Sequence, residues 1–374
     1  MIWLINVFHL SIKELRCVLR DTTMMTAIVV SFSIAIYVVA TGAKTDVNHV
    51  AVGIIDADHS GLSRRIRDAI QPPLFQAPVD LSREEAQAAM DEGRYLFIVD
   101  IPAHLEADVQ AQRSPTIQVM VDATAMSQGR LGVAYLNEII VRETLESFHV
   151  KDLESQLPTR PVTHVLFNPN STSSWFTSVM QLINNITVLS VVLVGAAVIR
   201  ERERGTIEHL LVMPVRPSEI AVAKIVANGL VILVAVALSV LLIVKLLLHV
   251  PVEGSLSLFL TGTALYLFSL TALGILLATV AASMPQFGLL AVPVFVVMYL
   301  LSGSATPSEN MPMWLQNAML LSPSTHYVKL AQGILYRAAG LGIVWPQMLA
   351  VGGIGSVFLA AALMRFRSML ARQG

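Results

Sequence analysis

The stretch GSLSLFLTGTALYLFSLTALGILLATVAASMPQFGLLAVPVFVVMYLLSGSATPS, residues 254–308, contains 55 residues without one Asp, Glu, Lys or Arg. A hydrocarbon core about 30 Å thick is crossed by roughly 20 apolar residues in helix, so this run is too long for one crossing and right for two. Ser283-Met284-Pro285 is the expected hinge, because proline lacks an amide donor and disfavours helix in the residue before it. Spans four and five are then Leu256 to Ala281 and Gln286 to Gly303, with a kink expected at Pro293.

Working outward, four more uncharged intervals of this kind occur: Met24 to Ala43, Trp175 to Ile199, Ile225 to Val244 and Trp345 to Met364. Lys224 and Lys245 bracket the third of these, where they are expected to snorkel to headgroups. In the last, Gly352, Gly353, Gly355 and Ser356 offer close helix approach. The fold class is thus an α-helical polytopic membrane protein of six spans with an inserted extracytoplasmic α/β domain. Composition agrees: 55% of the 374 residues are hydrophobic and 14% charged, against about 25% charged in soluble domains. The single cysteine, Cys17, speaks against a disulfide scaffold or a cysteine-ligated metal.

Orientation follows from Lys and Arg in short flanks, which stay cytoplasmic. Lys13, Arg16 and Arg20, then Arg200, Arg202, Arg204 and Arg216, then Arg365, Arg367 and Arg372 all fall on one side of a six-span chain. Both termini are therefore expected in the cytoplasm. Residues 44–174 are expected outside. That segment has 18 acidic and 11 basic residues, whereas the remainder has 8 and 14. A signal h-region typically has 7 to 15 residues, so the 20-residue first run reads as an uncleaved anchor. Within residues 1–23, Ile5, Phe8, Ile12, Leu15 and Leu19 recur at spacings of three and four, the apolar stripe of a helix lying in the lipid interface.

The inserted domain is long enough to bury a core of its own. Runs at 50–55, 95–101 and 116–122 read as strands, and those at 62–70, 83–92, 104–112 and 127–148 as helices, which together imply a small, largely parallel sheet. Residues 158–170 read as a linker back to the membrane. Asp56-Ala57-Asp58-His59-Ser60-Gly61 matches the first half of a calcium loop, but position twelve falls on Arg67 where a bidentate Glu is needed. Helix capping by Asp58 or Ser60 is the better account.

Between spans two and three, residues 200–218 carry Arg200-Glu201-Arg202-Glu203-Arg204-Gly205-Thr206-Ile207-Glu208-His209-Leu210-Leu211-Val212-Met213-Pro214. Alternating Arg and Glu prolong span two into water, Gly205 ends or bends it, and Thr206 starts a second short helix. Ile207, Leu210 and Leu211 form an apolar face that such a helix cannot bury alone. The pattern from Glu203 to Pro214 resembles the coupling element of type-2 ABC exporter permeases, and the likeness extends over the chain. Similar patterns are Phe167-Asn168-Pro169-Asn170, Leu301-Ser302-Gly303, Met311-Pro312 and Pro323-Ser324-Thr325-His326-Tyr327. Together they look closest to bacterial multidrug-exporter-type permeases.

That resemblance implies a permease subunit of the bacterial inner membrane that pairs with a second one, as homodimer or paralogue heterodimer, each docking a cytoplasmic ABC ATPase subunit. Glu203, Gly205, Thr206, Glu208, Leu210 and Pro214 would meet the ATPase, and a periplasmic adaptor could engage the outer domain. The cargo would be hydrophobic or amphipathic. No phosphate-cradling Gly-x-x-x-x-Gly-Lys-Ser/Thr run exists, so no cofactor is expected in this chain and ATP and Mg belong to the partner subunit. Neither catalytic constellations nor a nucleic-acid partner is indicated, and the chain is not expected to be an enzyme. In the family, segments such as 304–341 form re-entrant helices in the outer leaflet, where His326 and Lys329 are gate candidates. Asn184 and Asn185 in span two either face the cargo or bond between helices. A polytopic receptor or scaffold with an outer sensor domain is the rival reading. It would need a cytoplasmic output domain, and the longest cytoplasmic connection has only about 20 residues.

Overall fold

A computed structural model describes residues 2–42, 49–111, 113–122, 126–147, 172–205, 215–304, 306 and 311–371. The chain divides into two compact units, one of Met1–Ala43 with Ser173–Gly374, the other of Lys44–Thr172.

The first unit contains six helices long and apolar enough to cross a membrane: Thr22–Gly42, Ser173–Glu203, Pro217–Leu247, Leu256–Val280, Met284–Leu301 and Leu341–Arg365. Each coincides with one of the six uncharged intervals. The break between spans four and five falls at residues 281–283, and Pro285 occupies the first turn of span five, where a missing N–H costs nothing. Pro293 sits inside that helix. Span one is interrupted at Ser33, and the last part of span three, Ser239–Leu247, winds as a π-helix.

Spans two and four are the buried axis of this unit. Around them several buried hydroxyls are paired as an apolar setting favours, though the buried Ser239 and Ser269 hydroxyls have no hydrogen-bond partner among the described residues. Tyr266 of span four stacks on Tyr327 with ring centroids 4.0 Å apart and planes 12° from parallel. Each hydroxyl meets a threonine, Tyr266 with Thr187 at 2.7 Å and Tyr327 with Thr263 at 2.8 Å. Tyr327 lies on a helix at Pro323–Arg337, which follows a short one at Met313–Met319 and buries Val328, Leu330, Ala331 and Ile334.

Close approach is confined to a few glycines. A Cβ on Gly274 would stand 2.9 Å from the Val191 carbonyl oxygen, and one on Gly355 would stand 2.8 Å from the Ser269 Cα. The expectation for the small residues of span six therefore holds at Gly355 alone among its glycines. Gly353 has nothing within 4 Å, and Gly352 only the tip of Leu265 at 3.9 Å. A motif of small residues does not say which one faces the neighbour.

The second unit is a four-stranded sheet of order β2-β1-β3-β4, with β1 Val52–Asp56, β2 Val79–Asp80, β3 Phe97–Ile101 and β4 Gln118–Val121. β1 runs parallel to β2 and β3, and β4 is antiparallel to β3. Helices Gly61–Ala69, Arg83–Asp91, Leu105–Gln110 and Met126–Ser147 complete it. The central strands bury residues on both faces, which is why they read as continuous apolar runs. β2 was not anticipated: its two residues are exposed and carry no alternating pattern. In the Asp56–Gly61 turn the side chains serve backbone donors. Asp56 Oδ1 accepts from Asp58 N at 3.0 Å and His59 N at 2.9 Å, Ser60 Oγ caps Ser63 N at 3.1 Å, and Asp58 Oδ2 accepts from Glu106 N at 3.1 Å. The linker read at 158–170 lies outside the described residues.

Leucine at Gly355 is expected to force spans four and six apart and to destabilise the first unit by about 1–3 kcal/mol. Leucine at Gly353, which faces open space, should leave it unchanged. Thermal unfolding of the two variants in one detergent compares them directly.

Candidate functional site

The N-terminal helix, Ile2–Arg20, has two faces. Ile5, Phe8 and Leu19 of the expected stripe are exposed. Val7, Leu10, Glu14 and Val18, at spacings of three and four, are buried. This second lane runs along the start of span three. Trp3 Nε1 donates to Ser218 Oγ at 3.4 Å and Asn6 Nδ2 to Glu219 Oε2 at 3.3 Å, and Leu10 packs with Ile220 and Ala223. One helical turn on, Glu14 meets Lys224.

Lys224 is 2% exposed, and its ammonium sits between two carboxylates, 2.9 Å from Glu14 Oε2 and 2.8 Å from Glu201 Oε1. Lys13 closes the arrangement at 3.0 Å from Glu14 Oε1 and 3.5 Å from Glu201 Oε1. Lys224 therefore does not snorkel to the headgroups. Two carboxylates inside the protein outbid the interface for its charge. Burial alone would raise the Glu14 carboxyl above its ordinary range, but the ammonium groups of Lys224 and Lys13 overturn that and hold it below. Asn228, one turn on, donates to the Lys224 carbonyl at 2.9 Å.

Two further contacts tie the end of span two to its surroundings. Arg200 Nη1 reaches Asp21 Oδ2 at 2.8 Å, while the other Asp21 oxygen accepts from Met24 N at 3.1 Å and caps span one. Those two bonds depress the Asp21 carboxyl, the backbone N–H of Met24 more than the Arg200 guanidinium. Glu203 Oε1 accepts from the backbone N–H of Met284 at 3.0 Å, at the first residue of span five, where Ser283 gives no side-chain cap. Gly205 follows with φ +69°, its N–H on the Arg202 carbonyl at 3.1 Å, and so ends the helix of span two. A cleft of about 520 Å³ opens between Lys13, Asp21, Arg200 and Arg204.

Of the expected coupling residues, Glu203 and Gly205 thus stand at a junction of spans one, two, three and five with the N-terminal helix. Thr206, Glu208, Leu210 and Pro214 lie outside the described residues. Asn185 bonds between helices, its Nδ2 donating to Ser31 O of span one and its Oδ1 accepting from Gln181 at 2.8 Å. Asn184 is half-buried and has no hydrogen-bond partner among the described residues. His326 Nε2 is 2.9 Å from the Leu320 carbonyl, a backbone anchor for the preceding short helix. Lys329 lines a separate cavity at the opposite ends of the spans. Glu14, Asp21, Glu201 and Lys224 were missed as a group. The available signal was Glu14 itself, a carboxylate in step with Val7, Leu10 and Val18.

Fold and junction define a polytopic helical membrane protein whose spans are gathered at one end by buried charge. The profile of the ABC-2 family transporter proteins matches residues 20–364, and the chain belongs to that family. It is 48% identical over 366 residues to the inner membrane transport permease YhhJ of Escherichia coli (strain K12), covering 98% of each chain. It is 29% identical over 364 residues to the probable multidrug ABC transporter permease YbhR of the same organism, covering 95% of this chain and 96% of the other.

Lys224→Met strands two carboxylates and is expected to cost about 3–5 kcal/mol, whereas neutralising Glu14, Glu201 and Lys224 together should recover most of that loss. Unfolding of the purified variants gives both values. A depressed carboxyl stabilises the fold above its unfolded pKa and loses that contribution as pH falls through the folded value, so the Asp21 contacts should weaken below about pH 4. Asp21→Asn keeps a cap but should flatten that acid limb in a melting-temperature profile.

Proposed function

We propose that this chain is the permease subunit of an ABC exporter in the bacterial inner membrane, working as half of a homodimer or of a heterodimer with a paralogue. It moves a hydrophobic or amphipathic compound outward with ATP hydrolysed, with Mg, by a separate cytoplasmic ATPase. Both termini and the Arg200–Pro214 elbow face the cytoplasm, the second unit lies outside, and a periplasmic adaptor is a candidate partner for its acidic surface. Family membership and the relatives named as transport and multidrug permeases support this reading.

The observation that carries the mechanism is the bonding at the junction. An ATPase pressing on residues beyond Gly205 would act on a helix end already bonded to span one through Arg200, to span three through Glu201 and to span five through Glu203. Displacement of the elbow is then shared by several spans at once, which is what alternating exposure of a cavity requires. The N-terminal helix would move with it, its exposed Ile5, Phe8 and Leu19 lying in the lipid interface.

Glu208→Lys and Gly205→Val are expected to leave insertion and folding intact while abolishing cargo-stimulated ATP hydrolysis and efflux. Gly205 has open space for a side chain, so valine there pays only the penalty of positive φ, about 1–2 kcal/mol. Co-purification of the ATPase, followed by ATPase and efflux assays, checks this. Wild-type efflux in both variants, or labelling that finds the elbow outside the cell, would count against the reading.

A further inference from the structure

At the end of the first unit remote from the elbow, a cavity of about 550 Å³ lies between the start of span two, the end of span five, the helix Pro323–Arg337 and the start of span six. Its chemistry is unlike that of the elbow. Lys329, Gln332 and Arg337 of the Pro323–Arg337 helix line it together with Gln347 of span six. Both cations are exposed, and among the described residues neither makes an ion pair. Glu253 donates its backbone N–H to the Leu335 carbonyl at 3.2 Å and forms no ion pair among the described residues. The Gln347 side-chain oxygen is buried without a hydrogen-bond partner. Apolar surface borders this polar floor: Phe176 and Val344 line the cavity, and Ile343 and Trp345 beside it are 70% and 52% exposed.

We propose that this cavity binds the phosphate ester headgroup of an anionic amphiphile. Lys329 and Arg337 take the phosphate oxygens, the amides of Gln332 and Gln347 complete the polar contacts, and the acyl chains lie along Phe176 and Ile343. Several observations combine here. Every bounding helix contributes residues from its terminal turns or from the linking segment, which is headgroup depth for a chain that crosses the bilayer. Two cations with no carboxylate partner among the described residues, beside lipid, call for an anion. A guanidinium fork suits phosphate better than a lone carboxylate-free ammonium would. The same charges would also attract inorganic phosphate, so the tails are what separate a lipid from a free anion. The inference rests on the six-span membrane reading and not on transport or on an ATPase.

The test uses the full chain purified in detergent and native mass spectrometry with three probes: phosphatidylglycerol, diacylglycerol and inorganic phosphate. Wild type should retain one phosphatidylglycerol per chain and no diacylglycerol, with Lys329→Gln/Arg337→Gln weakening phosphatidylglycerol by about tenfold or more. Inorganic phosphate should bind only at much higher concentration. Binding of phosphate as tight as that of the lipid would uphold the anion site but overturn the lipid as its occupant. Equal retention of phosphatidylglycerol and diacylglycerol by wild type overturns the proposal without recourse to any variant. Undiminished lipid binding by a double variant that melts like wild type overturns it as well.

Discussion

A lysine ammonium sealed inside the protein between Glu14 and Glu201 is the constraint on which the arrangement of the first unit depends. Withdrawing three charges from water costs several kcal/mol per ion, and their mutual attraction returns that only when the geometry is good. Contacts of 2.8 and 2.9 Å on two separate carboxylates meet that condition, and Lys13 at the rim balances the remaining charge. The net gain in stability from such a cluster is small. Its value is positional, because any shift of one helix against the others strands a charge. The N-terminal helix, span two and span three are therefore held in one register at the point where span two leaves the apolar core.

Glu203 extends the same logic by two residues. Ser283 supplies no side-chain cap to span five, and the Glu203 carboxylate does so from a distant part of the chain. One short piece of sequence, Arg200 to Glu203, thereby bonds to the start of span one, the start of span five and the flank of span three. The alternation of Arg and Glu looks in sequence like a solvated face. In the fold Arg200, Glu201 and Glu203 have partners of their own within the unit, so an external load on Gly205 and beyond meets a fastened helix and not a free one.

The spans were legible because hydrocarbon thickness sets helix length, and a run such as residues 254–308 admits few other readings. Ser283-Met284-Pro285 located the break for a local reason, the proline's missing donor, that tertiary packing does not override. The strands at Val52–Asp56 and Phe97–Ile101 were legible as apolar runs, while Val79–Asp80 has too little pattern to be seen. What stayed hidden was pairing between elements distant in sequence. Lys224 lies 210 residues from Glu14, and a lysine at the edge of an apolar run looks the same whether it snorkels or is buried. The amphipathic reading of the N-terminal helix found its exposed stripe of Ile5, Phe8 and Leu19. It passed over the second face, because Glu14 there breaks the apolar periodicity that hydropathy detects.

The centre of the unit is where its helices fit most closely. Tyr266 and Tyr327 are stacked and doubly tied to threonines, Gly274 brings span four against the Val191 backbone, and Gly355 brings span six against Ser269. Contacts that close leave no slack, and packed interiors shift between discrete arrangements more readily than they deform. Spans two, four and six with the Pro323–Arg337 helix therefore pack as one closely fitted group. The cavity around Lys329 and Arg337 lies along the boundary of that group with span five, at its far end. Charge is internally matched around Lys224, whereas Lys329 and Arg337 at the far cavity make no ion pair among the described residues, which is the difference between a cluster that holds shape and a cavity that leaves charge open.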